Sequence, residues 1–192
     1  RVYALTGRSD QAEALFREVQ TKCPENPEAS VFLAQLYLSQ DKSAEALETL
    51  REAMKVQSNN ADLLYLTGTL CIDRARDMGD TPEARAAVQE GIGFLKRALE
   101  IAPQNPLRWQ QTGLALLAIN QLDEALQAFQ EARRYAPSDV LLARQIFTLL
   151  IQAGKYDKAL NMYDELAAET GTGNRSAPAR SMISLFCVSM CR

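Results

Sequence analysis

The sequence predicts an all-α fold built as a stack of antiparallel helix pairs. Three observations carry that prediction. Between Pro106 and Asp139, Trp109, Gly113 and Leu116 fall at helical spacing, and Leu122, Ala125, Phe129 and Ala132 do so again after a short polar turn at Asn120 and Gln121. The same pattern returns along the chain in fixed register. Finally, 47% of the residues are hydrophobic with Ala and Leu abundant, a composition suited to closely packed helices.

The register is best seen column by column. One small position gives Ala12, Ala46, Gly91, Ala125 and Ala159, at intervals of 34, 45, 34 and 34 residues. The bulky position four residues later gives Phe16, Leu50, Leu95, Phe129 and Tyr163. A further small position gives Val19, Ala53, Ala98, Ala132 and Leu166, and a terminating one gives Pro24, Ser58, Pro103, Pro137 and Gly171. Gly113 and Ala125 fall where two helices of a pair cross, so their backbones can approach while Leu116 and Phe129 fill the space beside them.

A period of 34 carrying Trp, Gly, a large residue, Ala, an aromatic and Pro in this order resembles the tetratricopeptide repeat (TPR) family, over about residues 1–173. The resemblance implies a right-handed superhelical solenoid with about four complete repeats plus a partial N-terminal one. It also implies a concave groove lined by the first helices of the repeats, with the second helices outside. Phe147 departs from the pattern where Ala34, Gly68 and Gly113 are small, as do Leu166, Ser58 and Gly171 in their columns. The last copy is therefore the least regular, as befits the end of a stack.

Taken in order, residues 1–26 supply the end of a first helix, with Tyr3 at its large position and Gly7 at the turn, and then a whole second helix. Starting inside a repeat and on Arg, the chain reads as a fragment or processed product. Residues 27–60 are a full copy opened by Pro27, well placed at a helix start, with a second helix from about Ser43 that Ser43, Glu45 and Glu48 weakly cap. The third copy, 61–105, is eleven residues longer, about three helical turns. Its extra sequence, Asp73 to Glu90, breaks at Gly79 and Asp80 and restarts with Thr81, Pro82 and Glu83, so lengthening both helices into a projecting tip is the simplest geometry. Arg74, Arg76, Asp77, Asp80, Glu83 and Arg85 decorate that tip, either as a solvated insertion or as a second contact surface. Copies at 106–139 and 140–173 follow, the second turning at Gly154 and Tyr156.

Residues 174–192 form a separate tail: a linker rich in Gly, Ser, Pro and Arg, then an apolar end too short to cross a bilayer. Met182, Leu185, Phe186 and Met190 could share a helical stripe. Three readings stay open: a helix packed on the last repeat, a truncated or disordered end, or a membrane or partner anchor.

Chemistry is mostly excluded. The formal charge of −3 and pI near 5.2 offer no global basic field for nucleic acid or anionic membranes. With no histidine, His-dependent triads, imidazole bases and His-containing metal sites all fall away. Cys71 reads as a core residue and Cys23 as a helix-end residue, while Cys187 and Cys191 lack further ligands. The set is compatible with a reducing, cytoplasmic setting without establishing it. Acidic pairs such as Asp123 with Glu124 and Glu48 with Glu52 read as solubilising charge, Gly91 and Gly93 stand inside a helix rather than a phosphate loop, and Arg133 with Arg134 suits a helix C-terminus. No catalytic residue, cofactor or metal is expected.

What remains is a surface. By resemblance, the groove residues are Val31, Phe32, Gln35 and Leu38; Tyr65, Leu66, Thr69 and Ile72; Gln110, Gln111 and Leu114; and Arg144, Gln145, Thr148 and Gln152. Such a mix suits main-chain hydrogen bonds to a peptide with apolar pockets between them. The carboxylate clamp of TPR co-chaperones is not expected, because the corresponding columns hold Val31, Gln35, Leu66, Leu107 and Gln111, without a cation. The expected function is a noncatalytic adaptor that binds a peptide or helix of a partner protein. The alternative is the repeat arm of a larger enzyme or secretion assembly whose activity lies elsewhere.

Overall fold

The structure is a computed structural model that describes residues 9–169, with side chains for residues 10–165. The tail at 174–192, its stripe, and the readings of Tyr3, Gly7, Cys187 and Cys191 lie outside the described residues. Nine helices follow one another among the described residues: α1 Ser9–Lys22, α2 Pro27–Leu38, α3 Ser43–Val56, α4 Ala61–Asp77, α5 Pro82–Ile101, α6 Pro106–Ala118, α7 Leu122–Tyr135, α8 Val140–Gln152 and α9 Tyr156–Glu169. Each packs on the next, pairing α2 with α3, α4 with α5, α6 with α7 and α8 with α9. This is the predicted all-α stack of helix pairs.

The columns explain the stack. Ala12, Ala46, Ala125 and Ala159 are at most 2% exposed, and Leu50, Leu95 and Phe129 at most 1%. The second helices α3, α5 and α7 therefore turn the same small and large residues inward, while Phe16 of α1 and Tyr163 of α9 are half-buried. The buried side chains form two clusters along the stack, one around Leu33, Tyr37, Leu50 and Leu63, the other around Leu95, Leu116, Phe129 and Ile146. Each hairpin relies on its neighbours to cover its apolar face, so burial is shared along the row.

Close approach is most severe between α4 and α5. A Cβ on Gly68 would lie 2.8 Å from the Gly91 carbonyl oxygen, and one on Gly91 would lie 2.7 Å from the Gly68 carbonyl oxygen. In α6 the crossing glycine, Gly113, instead receives the ring of Phe129, with three ring atoms 2.8–3.0 Å from where its Cβ would be. Phe147 breaks this scheme in the last pair. Its ring sits beside that of Tyr163, centroids 6.5 Å apart and tilted by 47°, rather than a ring over a glycine.

Helix ends follow a second rule. The residue before each first helix is Asn26, Asn60, Asn105 or Asp139, and each side-chain oxygen accepts from first-turn amides: Glu28 N at 2.9 Å, Asp62 N and Leu63 N at 3.0 Å, Leu107 N at 3.0 Å and Leu142 N at 3.0 Å. Within three pairs the turn passes through a left-handed residue, Asp41, Asn120 or Gly154. The amide after it then reaches back to Tyr37 O, Leu116 O or Leu150 O at 2.8–2.9 Å, closing the first helix. Ser43 does not cap α3: it is the first helical residue, and Lys42 stands at the cap without a side-chain bond. The backbone turn has already fixed that entry through Lys42 N to Tyr37 O.

The insertion does lengthen both helices. At 17 and 20 residues, α4 and α5 exceed the 12–14 of the other helices. They turn at Gly79, φ 67°, and restart where the Thr81 hydroxyl accepts from Ala84 N at 3.1 Å. Residues 76–80 are exposed, and Arg76–Asp73 and Arg85–Asp80 pair on the tip.

Candidate functional site

The first helices α2, α4, α6 and α8 carry all the groove columns, and their burial differs along the stack. Phe32 is half-buried and stacks on Phe16 of α1, centroids 5.7 Å apart, while Gln35 is exposed. Tyr65 and Thr69 are half-buried on α4, Gln110 and Gln111 half-buried on α6, and Leu114 is 43% exposed. On α8, Arg144 and Thr148 are exposed and Gln145 is half-buried. Four of the expected residues come together: Arg144, Gln145, Thr148 and Gln152 line one concavity of about 500 Å³ with Leu141 and Leu149.

The hydroxyls are oriented differently from the expectation that they face a peptide. Thr69 Oγ1 donates to its own helix at Leu66 O, 3.0 Å, and Thr148 Oγ1 donates to Arg144 O, 3.0 Å. A threonine inside a helix can reach the carbonyl one turn back, and that bond takes its proton away from the groove. Gln110 Nε2 donates to the capping Asp139 of the next helix at 3.4 Å, tying α6 to α8. Apolar area on this side is larger than the polar columns suggest. Leu107 is 51% exposed and Leu141 68%, both at the second position of their helices, and Leu114 lies two turns beyond Leu107 on α6.

A residue outside the expected set stands beneath this face. Arg108, the third residue of α6, is only 7% exposed. Its Nη2 donates to Asp62 Oδ1 at the start of α4, and its guanidinium carbon lies 5.6 Å from the centre of the Tyr65 ring. Burial pushes the Tyr65 hydroxyl above its ordinary pKa, against the opposing pull of the Arg108 charge. Arg108 Nε and Nη1 are buried and have no acceptor. A charged residue in a column otherwise held by Ala29, Leu63 and Leu142 is the signal in the sequence that could have found it.

The remaining reactive groups have structural explanations. Cys71 is 3% exposed, and burial, then the Glu90 charge, pushes its thiol up, away from nucleophilic thiolate. Glu90 itself receives Arg51 Nη2 on both oxygens, at 2.9 and 3.0 Å, joining α3 to α5. Among the described residues no three carboxylates or thiols cluster to hold a metal, and no helix is long and apolar enough to cross a membrane.

Comparison with solved structures bears out the repeat reading. The chain is similar to MamA, at 18% identity with a TM-score of 0.68 over 91% of this chain and 90% of that one. It is similar also to TTC0263, a thermophilic TPR protein of Thermus thermophilus, at 22% identity and a TM-score of 0.61 over 98% and 92%. YrrB, a TPR protein with an unusual peptide-binding site, matches at 19% identity and a TM-score of 0.65 over 87% and 80%. At these identities the likeness establishes the TPR fold. No curated protein sequence matches the chain. Residues 1–133 match the family model of the ChAPs, the Chs5p-Arf1p-binding proteins, and the chain belongs to that family.

Proposed function

We propose that the chain is a noncatalytic scaffold whose first helices hold a segment of a partner protein along their open side. The observation that carries this reading is the set of leucines left exposed there. Leu114 occupies a groove column of α6, and Leu107 and Leu141 stand exposed at the second position of α6 and α8, the helices that carry Gln111, Arg144, Gln145 and Thr148. Burying that apolar strip against a partner while amides and a guanidinium bond its main chain is the usual composition of a protein interface. The family's name supplies the first partners to try, Chs5p and Arf1p. Two named partners also favour a place within a larger assembly over a receptor for a single peptide.

The test is a binding assay with purified Chs5p and Arf1p, comparing the natural chain with the triple variant Tyr65→Ala, Gln111→Ala and Arg144→Ala. The expected result is a weakened complex with an unchanged helical circular-dichroism spectrum. Equal affinity of both forms would remove the groove from the reading.

A further inference from the structure

Successive second helices are clasped to one another in register. Arg51 of α3 donates from Nη2 to both oxygens of Glu90 of α5, at 2.9 and 3.0 Å, and Lys96 Nζ of α5 donates to Glu124 Oε2 of α7 at 2.7 Å. One repeat further along, the same two positions are Gln130 of α7 and Lys158 of α9. The cation has become an amide and the carboxylate has become a cation, so the clasp cannot form. Among the described residues no carboxylate pairs with Lys158, and Asp123, the acid its charge acts on, already accepts from Lys155.

A concavity of about 550 Å³ lies at this point, with Gln130 and Lys158 both in its lining. Ile146 and Leu150 of α8 and Met162 of α9, each at most 5% exposed, give it an apolar floor. Arg133 and Arg134 of α7 add two more cations to the lining. Arg133 takes a column that Leu99, 5% exposed, holds in the repeat before, so a charge stands where the fold has elsewhere placed hydrocarbon. Glu165 is the one acid in the lining. Its Oε2 is 3.9 Å from Arg133 Nη2 and its side chain is 66% exposed, which makes a weak, screened pair.

We propose that the gap between α7 and α9 binds a small organic anion, an acidic head on a short apolar body. The head accepts from the Gln130 amide and the Lys158 ammonium, supplying the negative charge that Glu90 and Glu124 supply in the preceding clasps, and Arg133 adds a further charge-assisted donor. The body covers Ile146, Leu150 and Met162. Sites for small ligands have this make-up, an apolar lining with a few placed polar groups in roughly 300–1,000 Å³. The site is formed by second helices over α8 and does not depend on the groove reading.

The methyl signal of Met162, assigned with Met162→Leu and followed by carbon-edited NMR of the full chain, reads occupation of the floor. The probes are hexanoate and hexyl phosphate, with acetate as a head alone and hexanamide as the neutral control, all at equal ionic strength. The expected result is a saturable shift with one or both six-carbon anions, severalfold weaker with acetate and absent with hexanamide. Whichever anion saturates at the lower concentration identifies the head as carboxylate or phosphate. The double variant Gln130→Lys and Lys158→Glu rebuilds the clasp of Lys96 with Glu124, and should melt at or above the natural chain while losing the shift. Lys158→Met, which keeps the apolar stem, should weaken binding severalfold. An unmoved signal with both anions would overturn the proposal, as would an equal shift with hexanamide. So would a double variant that unfolds, or a Lys158→Met chain that binds as tightly as the natural one.

Discussion

The crossing of α4 and α5 gives the sharpest prediction, because one helix contains its own control. Gly91 and Gly93 are both inside α5, and both become alanine with the same gain in helix propensity, about 0.8–1.0 kcal/mol. At Gly93 a Cβ meets nothing within 4 Å, so Gly93→Ala should keep that gain and raise the melting temperature, by about 2–4 °C for a chain of this size. At Gly91 the new carbon lies 2.7 Å from both the Gly68 carbonyl oxygen and Ile72 Cγ1. Ordinary contact begins near 3.4 Å, so the helices must separate by about 0.7 Å at their closest point. The obstacle is backbone, which cannot turn aside as a flexible side chain would. Overpacking of this kind costs about 1–3 kcal/mol, enough to outweigh the propensity gain in most of that range. Gly91→Ala should therefore melt below the natural chain in a thermal circular-dichroism scan, and Gly93→Ala above it. Two melts that move together in either direction would refute the crossing assignment.

Two further predictions follow from the helix ends and surface charges. Asn60→Ala removes the acceptor for two first-turn amides of α4 and should cost about 1 kcal/mol, seen as a lower urea midpoint; an unchanged midpoint would show that the cap is redundant. The Lys155 hydrogen bond, then its charge, holds the Asp123 carboxyl below the ordinary aspartate range. The folded pKa is depressed, so the contribution is present above the unfolded value and lost as pH falls through the folded one. Carbon-detected titration should find Asp123 ionising at lower pH than an ordinary aspartate, and Lys155→Ala should return it to that range.

How much of this was legible in the sequence depended on whether a residue's environment repeats. Ala46, Ala125 and Phe129 were legible because a burial demand at the helix crossing recurs in one register, at intervals of 34 residues apart from the lengthened third copy. The lengthened α4 and α5 were equally readable, since Gly79, Thr81 and Pro82 punctuate a helix break in the plain chemistry of turns. The capping column at Asn26, Asn60, Asn105 and Asp139 repeats just as well, but it is polar and lies outside the apolar columns on which the repeats were aligned. Ser43 was assigned that role instead, where the backbone turn leaves it none. Within the groove, Thr69 and Thr148 could not be oriented from sequence, because a helical threonine can bond its own backbone or face outward and only the rotamer decides. Arg108 lies in none of the columns on which the repeats were aligned, and only its register with Ala29, Leu63 and Leu142 marks the position as buried.

The claim that a partner lies on the side of the first helices can be tested most directly by photocrosslinking. A benzophenone side chain at Leu114 of α6 sits on the exposed leucine strip, and one at Gln127 of α7 sits exposed on a second helix. With purified Chs5p or Arf1p, the Leu114 position should yield a covalent adduct and the Gln127 position should not. Adducts from Gln127 alone would place the partner on the outer surface and contradict the account.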